Sequence, residues 1–198
     1  MAELAYKHGM KLILSDGNFG DALLNQKNSV IRENVEKWRN VPAVNGYYLR
    51  DEPYDPNIFL DAYGAIKETD PNSLCHLNFL QYAAYANVEQ WKEVLDTWCK
   101  NCNGTGYRLD YIMHDLYPYP LTGTGMHREG FLKNLRGMHD VGLANNVKTG
   151  LYLQSVCQQV SFRRPSGPEI RYQAFMALAY GYKQLSYFTW FTPVGRDE

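Results

Sequence analysis

Residues 46–53 read GYYLRDEP. Tyr47, Tyr48, Leu49 and the stem of Arg50 suit a buried strand, which then runs into two adjacent carboxylates, Asp51 and Glu52. Pro53 stops it, since proline lacks the N–H that would continue a ladder. One acid at such a place can cap a helix. Two acids followed by a proline mark a built site. The fold depends on whether the chain repeats this form, an apolar run with a polar end.

It does. KLILSD (11–16), LCHLNFL (74–80), LDYIMHDLY (109–117), TGLYLQS (149–155) and LSYFTWF (185–191) are further strand-like runs. Between them lie helix-length segments. Residues 22–40 form one, closed by Pro42. Asp55-Pro56 is an N-cap with proline at the first helical position, opening a helix to about Lys67. Residues 87–101 carry Val88, Trp91, Val94, Leu95 and Trp98 at helical spacing. Residues 127–141 and 168–181 are the others, and Ser166-x-x-Glu169 is a capping box for the second. Residues 1–10 read as the end of an earlier helix.

Near-continuous apolar strands alternating with helices predict a parallel sheet covered by helices, either doubly wound or a (β/α)8 barrel. No strand is followed by a glycine-rich phosphate loop, which argues against nucleotide-binding versions. The strand ends carry the information: Asp16, Asp51-Glu52, Asn78, Asp115 with Tyr117, Gln154-Ser155 and Trp190. A barrel keeps its active site at the C-terminal ends of its strands.

Composition limits the partners. The formal net charge of −1 over 198 residues gives no electrostatic case for nucleic acid or an anionic membrane. No run approaches the ~20 apolar residues of a membrane span. The 16 tyrosines and 4 tryptophans supply flat apolar faces with polar handles, which suit sugar rings. Cys99-x-x-Cys102 lacks the second ligand pair of a zinc site and opens no helix as a redox motif does. Inert thiols or a local disulfide are the readings for the cysteines. No metal or cofactor is expected.

GYYLRDEP, HDLYPYP, LYLQS and RYQAFMALAYGYKQLSYFTWFTP together resemble the clan A (β/α)8 glycoside hydrolases, in particular family 42 β-galactosidase-like barrels and related glycosidases of gut Bacteroidetes. The resemblance spans the chain. It implies a TIM barrel of which strands three to eight are present, with 1–198 as one partial domain, since a full barrel takes roughly 250 residues. GYYLRDEP becomes the fourth strand, where the clan carries Asn-Glu with the Glu as general acid/base. Glu52 then has that role and Asp51 stands in for the sugar-binding Asn. The nucleophile position at the end of the seventh strand holds Gln154, a neutral amide. The resemblance also implies a location outside the cytoplasm.

Glycoside hydrolysis needs two carboxyl groups as a rule. Beside Glu52 the second is Asp115 as general base of an inverting reaction, or Asp51 orienting an acetamido group, or an acid in the missing strands. Asp51 beside Glu52 also gives a reason for a raised carboxyl pKa. Asp16, Asp51, Asn78, Tyr117, Gln154 and Trp190 are the expected substrate-binding residues, with Tyr119 and Tyr152 as further platforms. His114, next to Asp115 on a strand, should face the helices. The function expected is a glycosidase. The rivals are a catalytically inactive barrel that binds carbohydrate, which Gln154 favours, and a metal-dependent hydrolase, which the lack of paired ligands disfavours.

Overall fold

The computed structural model describes residues 2–15, 17–122, 125–157 and 161–189. Strands and helices alternate along them. They form two compact units, residues 1–78 with 96–110 and residues 79–95 with 111–198.

In the first unit α1 (Ala2–Lys7) leads to β1 (Leu12–Leu14), α2 (Gly17–Leu24), α3 (Asn28–Trp38) and β2 (Val44–Asp51). A 3-10 turn (Pro56–Phe59), α4 (Leu60–Thr69) and β3 (Leu74–Phe79) follow. β1, β2 and β3 run parallel in chain order. The helix expected over 22–40 is two helices. Gln26 takes the left-handed region at φ 52°, and the Lys27 N–H returns to the Ala22 carbonyl at 2.9 Å, closing α2 before α3 starts. Asp55 caps as expected, accepting from the Asn57 N–H at 2.9 Å. The turn it opens is 3-10 and becomes α-helical only at Leu60.

Tyr47 ties β2 to its helices. Its ring lies 5.6 Å from Phe19 of α2 and its hydroxyl donates to the Val35 carbonyl of α3 at 3.2 Å. Tyr63 of α4 meets Trp98 of α5 (Val88–Gly104) edge-on at 6.0 Å. Trp98 is fully buried, and such a ring removes roughly 150–250 Å² from water, worth at most roughly 4–6 kcal/mol. Gly46 is required by the close pairing of β2 and β3, because a Cβ there would collide with the Leu74 carbonyl. Lys67 is buried; its ammonium donates to the Ser73 carbonyl at 2.7 Å and the Asp110 carboxylate at 2.8 Å.

In the second unit a 3-10 turn (Tyr82–Ala84) and residues 88–95 of α5 precede β4 (Tyr111–Asp115). Then come α6 (Arg128–Asn145), β5 (Lys148–Gln154), α7 (Gly167–Ala179) and β6 (Gln184–Phe188). β4, β5 and β6 pair in parallel with no shift of register. Trp91 fills the space over Gly137 of α6, which a Cβ would occupy. Ser166 and Glu169 form the expected capping box, the Ser166 N–H donating to the Glu169 carboxylate at 2.8 Å.

Among the described residues no helix is long and apolar enough to cross a membrane. The four cysteines are free thiols. Burial pushes the Cys75 and Cys99 thiols up to about 12 and Cys102 in the same direction, which suits packing rather than reactivity.

Lys67→Met keeps the apolar stem but removes the donor to Ser73 and Asp110. Asp110 is 40% exposed and stays hydrated, so the expected loss is about 1–3 kcal/mol in urea unfolding. An unchanged midpoint would show that the ammonium contributes nothing.

Candidate active site

In the first unit the site grows from an irregularity in β2. Tyr48 pairs with His76, but the next pairs are Arg50 with Leu77 and Asp51 with Asn78. One residue, Leu49, is therefore extra, as in a β-bulge. Strict alternation would send Tyr48 and Asp51, three apart, to opposite faces. The bulge puts them on one face. The Tyr48 ring stacks on His76 at 5.1 Å, and the Asn78 amide donates to the Asp51 carboxylate at 2.9 Å. Tyr47 points to α2 and α3, so Tyr48, Asp51, His76 and Asn78 share the face turned away from those helices. In a barrel that face is the interior.

Asn78 is 3% exposed and its carbonyl oxygen has no hydrogen-bond partner among the described residues. A buried acceptor left unmatched costs about 1–3 kcal/mol. His76 is also buried, and desolvation lowers its pKa to about 4 against the opposing pull of Asp51. The ring is neutral at pH 7. Glu52 follows at φ 45°, the left-handed region that non-glycine residues seldom adopt. Its N–H donates to the Asn78 carbonyl at 2.8 Å. Glu52 is exposed, while Pro53 behind it is buried. The strained turn thus has an anchored backbone and an acid directed out of the core.

In the second unit the strand ends are layered by register. Met113 pairs with Gly150 and Gly150 with Gln184; Asp115 pairs with Tyr152 and Tyr152 with Ser186. His114, on the opposite face of β4, is fully buried. Its Nε2 lies 2.9 Å from the Tyr182 hydroxyl and its ring 6.1 Å from Trp91. Burial holds it neutral, with a pKa near 3. It faces the helices, as the alternation predicts, and Asp115 faces away from them, 9% exposed. Tyr117 stacks on Phe188 at 5.3 Å and meets Phe162 edge-on at 5.2 Å.

Gln154 closes this end of the sheet. It is fully buried. Its carbonyl oxygen accepts from the Tyr119 N–H at 2.9 Å, and its amide donates to the carbonyls of Tyr119 at 3.2 Å and Arg163 at 2.8 Å. The side chain of Gln173 on α7 holds Gln154's own backbone from both sides, at 2.8 and 3.1 Å. These bonds join the segment after β4 to the segment after β5. There Pro120 and Phe162 make an antiparallel bridge and Leu121 donates to Ser161 at 2.9 Å.

Tyr119 is buried, its hydroxyl donating to the Glu169 carbonyl at 3.2 Å. The Arg163 guanidinium grips Glu169 through both carboxylate oxygens, at 2.9 and 2.6 Å. That grip, with the Ser166 N–H, holds the Glu169 carboxyl at about 2.

Asp16 and Trp190 lie outside the described residues. Asp51 and Asn78 are brought together, with Glu52 next to them. Asp115 and Tyr117 lie in the other unit with Gln154. The sequence reading missed the bulge at Leu49, the Asp51–Asn78 bond and the ladder held by Gln154. None of the three left a signal in the local sequence pattern, because each depends on pairing between distant residues. Among the described residues no three His, Cys, Asp or Glu side chains are grouped to hold a metal.

No protein-family model matches the chain, and no curated protein matches it in sequence. Solved structures do match its fold. A putative alpha-L-fucosidase from Bacteroides thetaiotaomicron superposes over 94% of this chain at TM-score 0.67 and 13% identity. A Thermobacillus composti GH10 xylanase superposes over 96% at 0.58 and 15%, and a Pseudomonas stutzeri endoglucanase Cel5A over 98% at 0.56 and 17%. The chain spans 64%, 69% and 68% of those three chains respectively. The fold is therefore the β/α repeat of the TIM barrel, with six of its strands among the described residues.

Two outcomes test the Gln154 buckle and its rim. Gln154→Glu replaces a donor facing two carbonyls with an acid, so its folded-state carboxyl pKa rises. The loss, about 2–4 kcal/mol at pH 7, grows as pH climbs above the unfolded value near 4.3. Thermal melts at pH 4.5 and 7 should diverge from the parent most at pH 7; a constant offset would refute the buckle. Glu169 has the opposite sign. Its depressed pKa stabilises the fold above pH 4.3 and that stability fades as pH falls towards 2. Glu169→Gln should therefore flatten the acid limb of the melting curve, and an unaltered limb would contradict the Arg163 grip.

Proposed function

We propose that the chain carries the site of a glycoside hydrolase, with Glu52 as the general acid that protonates the glycosidic oxygen. The observation that carries this reading is the bulged end of β2. It spends a register shift and a left-handed residue to present Asp51 beside Asn78 and Glu52 beyond them. A strand that only needed to stop would do so at Pro53 without either.

In this reading Asp51 and Asn78 hold sugar hydroxyls. The unmatched Asn78 carbonyl takes a hydroxyl proton and the Asp51 carboxylate takes another. Asp115 is the second carboxyl, activating water. Carboxyls about 6.5–9.5 Å apart would leave room for that water and invert the anomeric centre, whereas about 5–5.5 Å would retain it. Asp16, Tyr117 and Trp190 are the remaining candidates for sugar contacts. Gln154, also a candidate for a sugar contact, has its amide committed to Tyr119 and Arg163. The likeness to glycoside hydrolases supports the substrate class at the level of fold.

The second reading, an inactive barrel that binds carbohydrate, is favoured by Gln154 alone. Its amide stands where the clan's nucleophile is expected, and it is engaged in structure.

The test is hydrolysis of aryl glycosides with graded leaving groups, using a chain that includes every segment of the natural protein. Glu52→Gln should lower kcat about 100-fold or more on poor leaving groups, and much less on dinitrophenyl glycosides, which need little protonation. Equal rates on all would remove Glu52 from the mechanism. Retained sugars without cleavage by the parent would favour the binding reading.

A further inference from the structure

The ladder held by Gln154 is also the wall of a cavity. A hollow of about 820 Å³ opens in the second unit between the turn after β3, the segment after β4 and the start of α6. Tyr82, Tyr117 and Phe162 give it aromatic surface; Gln81 and Ser161 give it polar groups. A second hollow of about 620 Å³, with Tyr119 and Tyr172, lies on the other side of Met126 and Arg128, which line both. The position of that dividing segment is fixed, because the His127 N–H donates to the Pro118 carbonyl at 2.8 Å.

Charge around the two hollows is unevenly matched. Glu129, an acid of the first, is taken by Lys133 at 2.7 Å. Glu169, an acid of the second, is taken by Arg163. Arg128 has no carboxylate partner among the described residues. The cavity thus offers stacking faces and an uncompensated guanidinium, a planar fork that fits carboxylate or sulfate oxygens.

We propose that this cavity is a subsite for an anionic sugar, a uronate or a sulfated residue, held by Arg128 against Tyr82, Tyr117 and Phe162. The inference rests on the glycosidase reading for its substrate class and deepens it by naming the charge. The site selects acidic glycans, and neutral ones of the same skeleton lose the guanidinium contact.

Binding is measured with the Glu52→Gln chain, so that cleavage plays no part. The probes are trigalacturonate against its methyl ester, and a sulfated carrageenan oligosaccharide against its desulfated form. The anionic member of at least one pair should bind about five- to tenfold more tightly at low salt, and which pair responds tells carboxylate from sulfate. Arg128→Ala, an exposed position, should erase that preference while leaving the neutral member unchanged. Phe162→Ala should weaken both members alike. Equal binding within both pairs, or a preference that survives Arg128→Ala, overturns the subsite. Neither outcome touches the glycosidase reading, which is decided separately by hydrolysis with the parent.

Discussion

The strand exits of the second unit depend on one buried carboxamide. Gln154 ends β5 with every polar atom matched, and both of its amide protons go to carbonyls of the two segments that follow β4 and β5. A loop carrying buried backbone groups must satisfy them somewhere. Here the Gln154 side chain shares that task with backbone bonds between the two segments, and the result is a ladder from Pro120 to Phe162 with Tyr119 buried beside it. Tyr117, Phe162 and the start of α6 line the hollow beside this ladder.

The first unit departs from regular strand geometry at the end of β2. A parallel strand with regular alternation cannot present residues three apart on one face. The extra residue at Leu49 breaks the alternation. It brings Asp51 to Asn78 and leaves Glu52 in a conformation held by a bond back to β3. The cost is local strain and an unmatched acceptor on Asn78. Strain and unmatched polar atoms gather where binding or chemistry takes place, because a purely structural strand end has no use for them.

Each unit buries one histidine, in different surroundings. His114 and His76 are both buried and both neutral at pH 7. His114 is packed into the helical layer by Trp91 and Tyr182. In the first unit His76 lies against Tyr48 and near Asp51, on the face turned away from α2 and α3. The same desolvation makes one a core residue and the other part of the surroundings of the carboxylates.

Much was legible in the sequence. Apolar runs with polar ends, separated by helix-length segments, determined the alternating β/α plan. Asp55-Pro56 and Ser166-x-x-Glu169 determined caps, since capping is a contact among residues within a few positions. Alternation alone determined that His114 turns from Asp115. The break at Gln26 was hidden because a left-handed residue interrupts a helix without changing its apolar period. The tertiary structure decided the register of β2 against β3, and with it the face on which Asp51 lies. It also decided that Gln154 is a buckle between Tyr119 and Arg163. Both turn on pairing between residues distant along the chain, where one extra residue or one shared amide moves a side chain from one face or partner to another, and local patterning carries no trace of it.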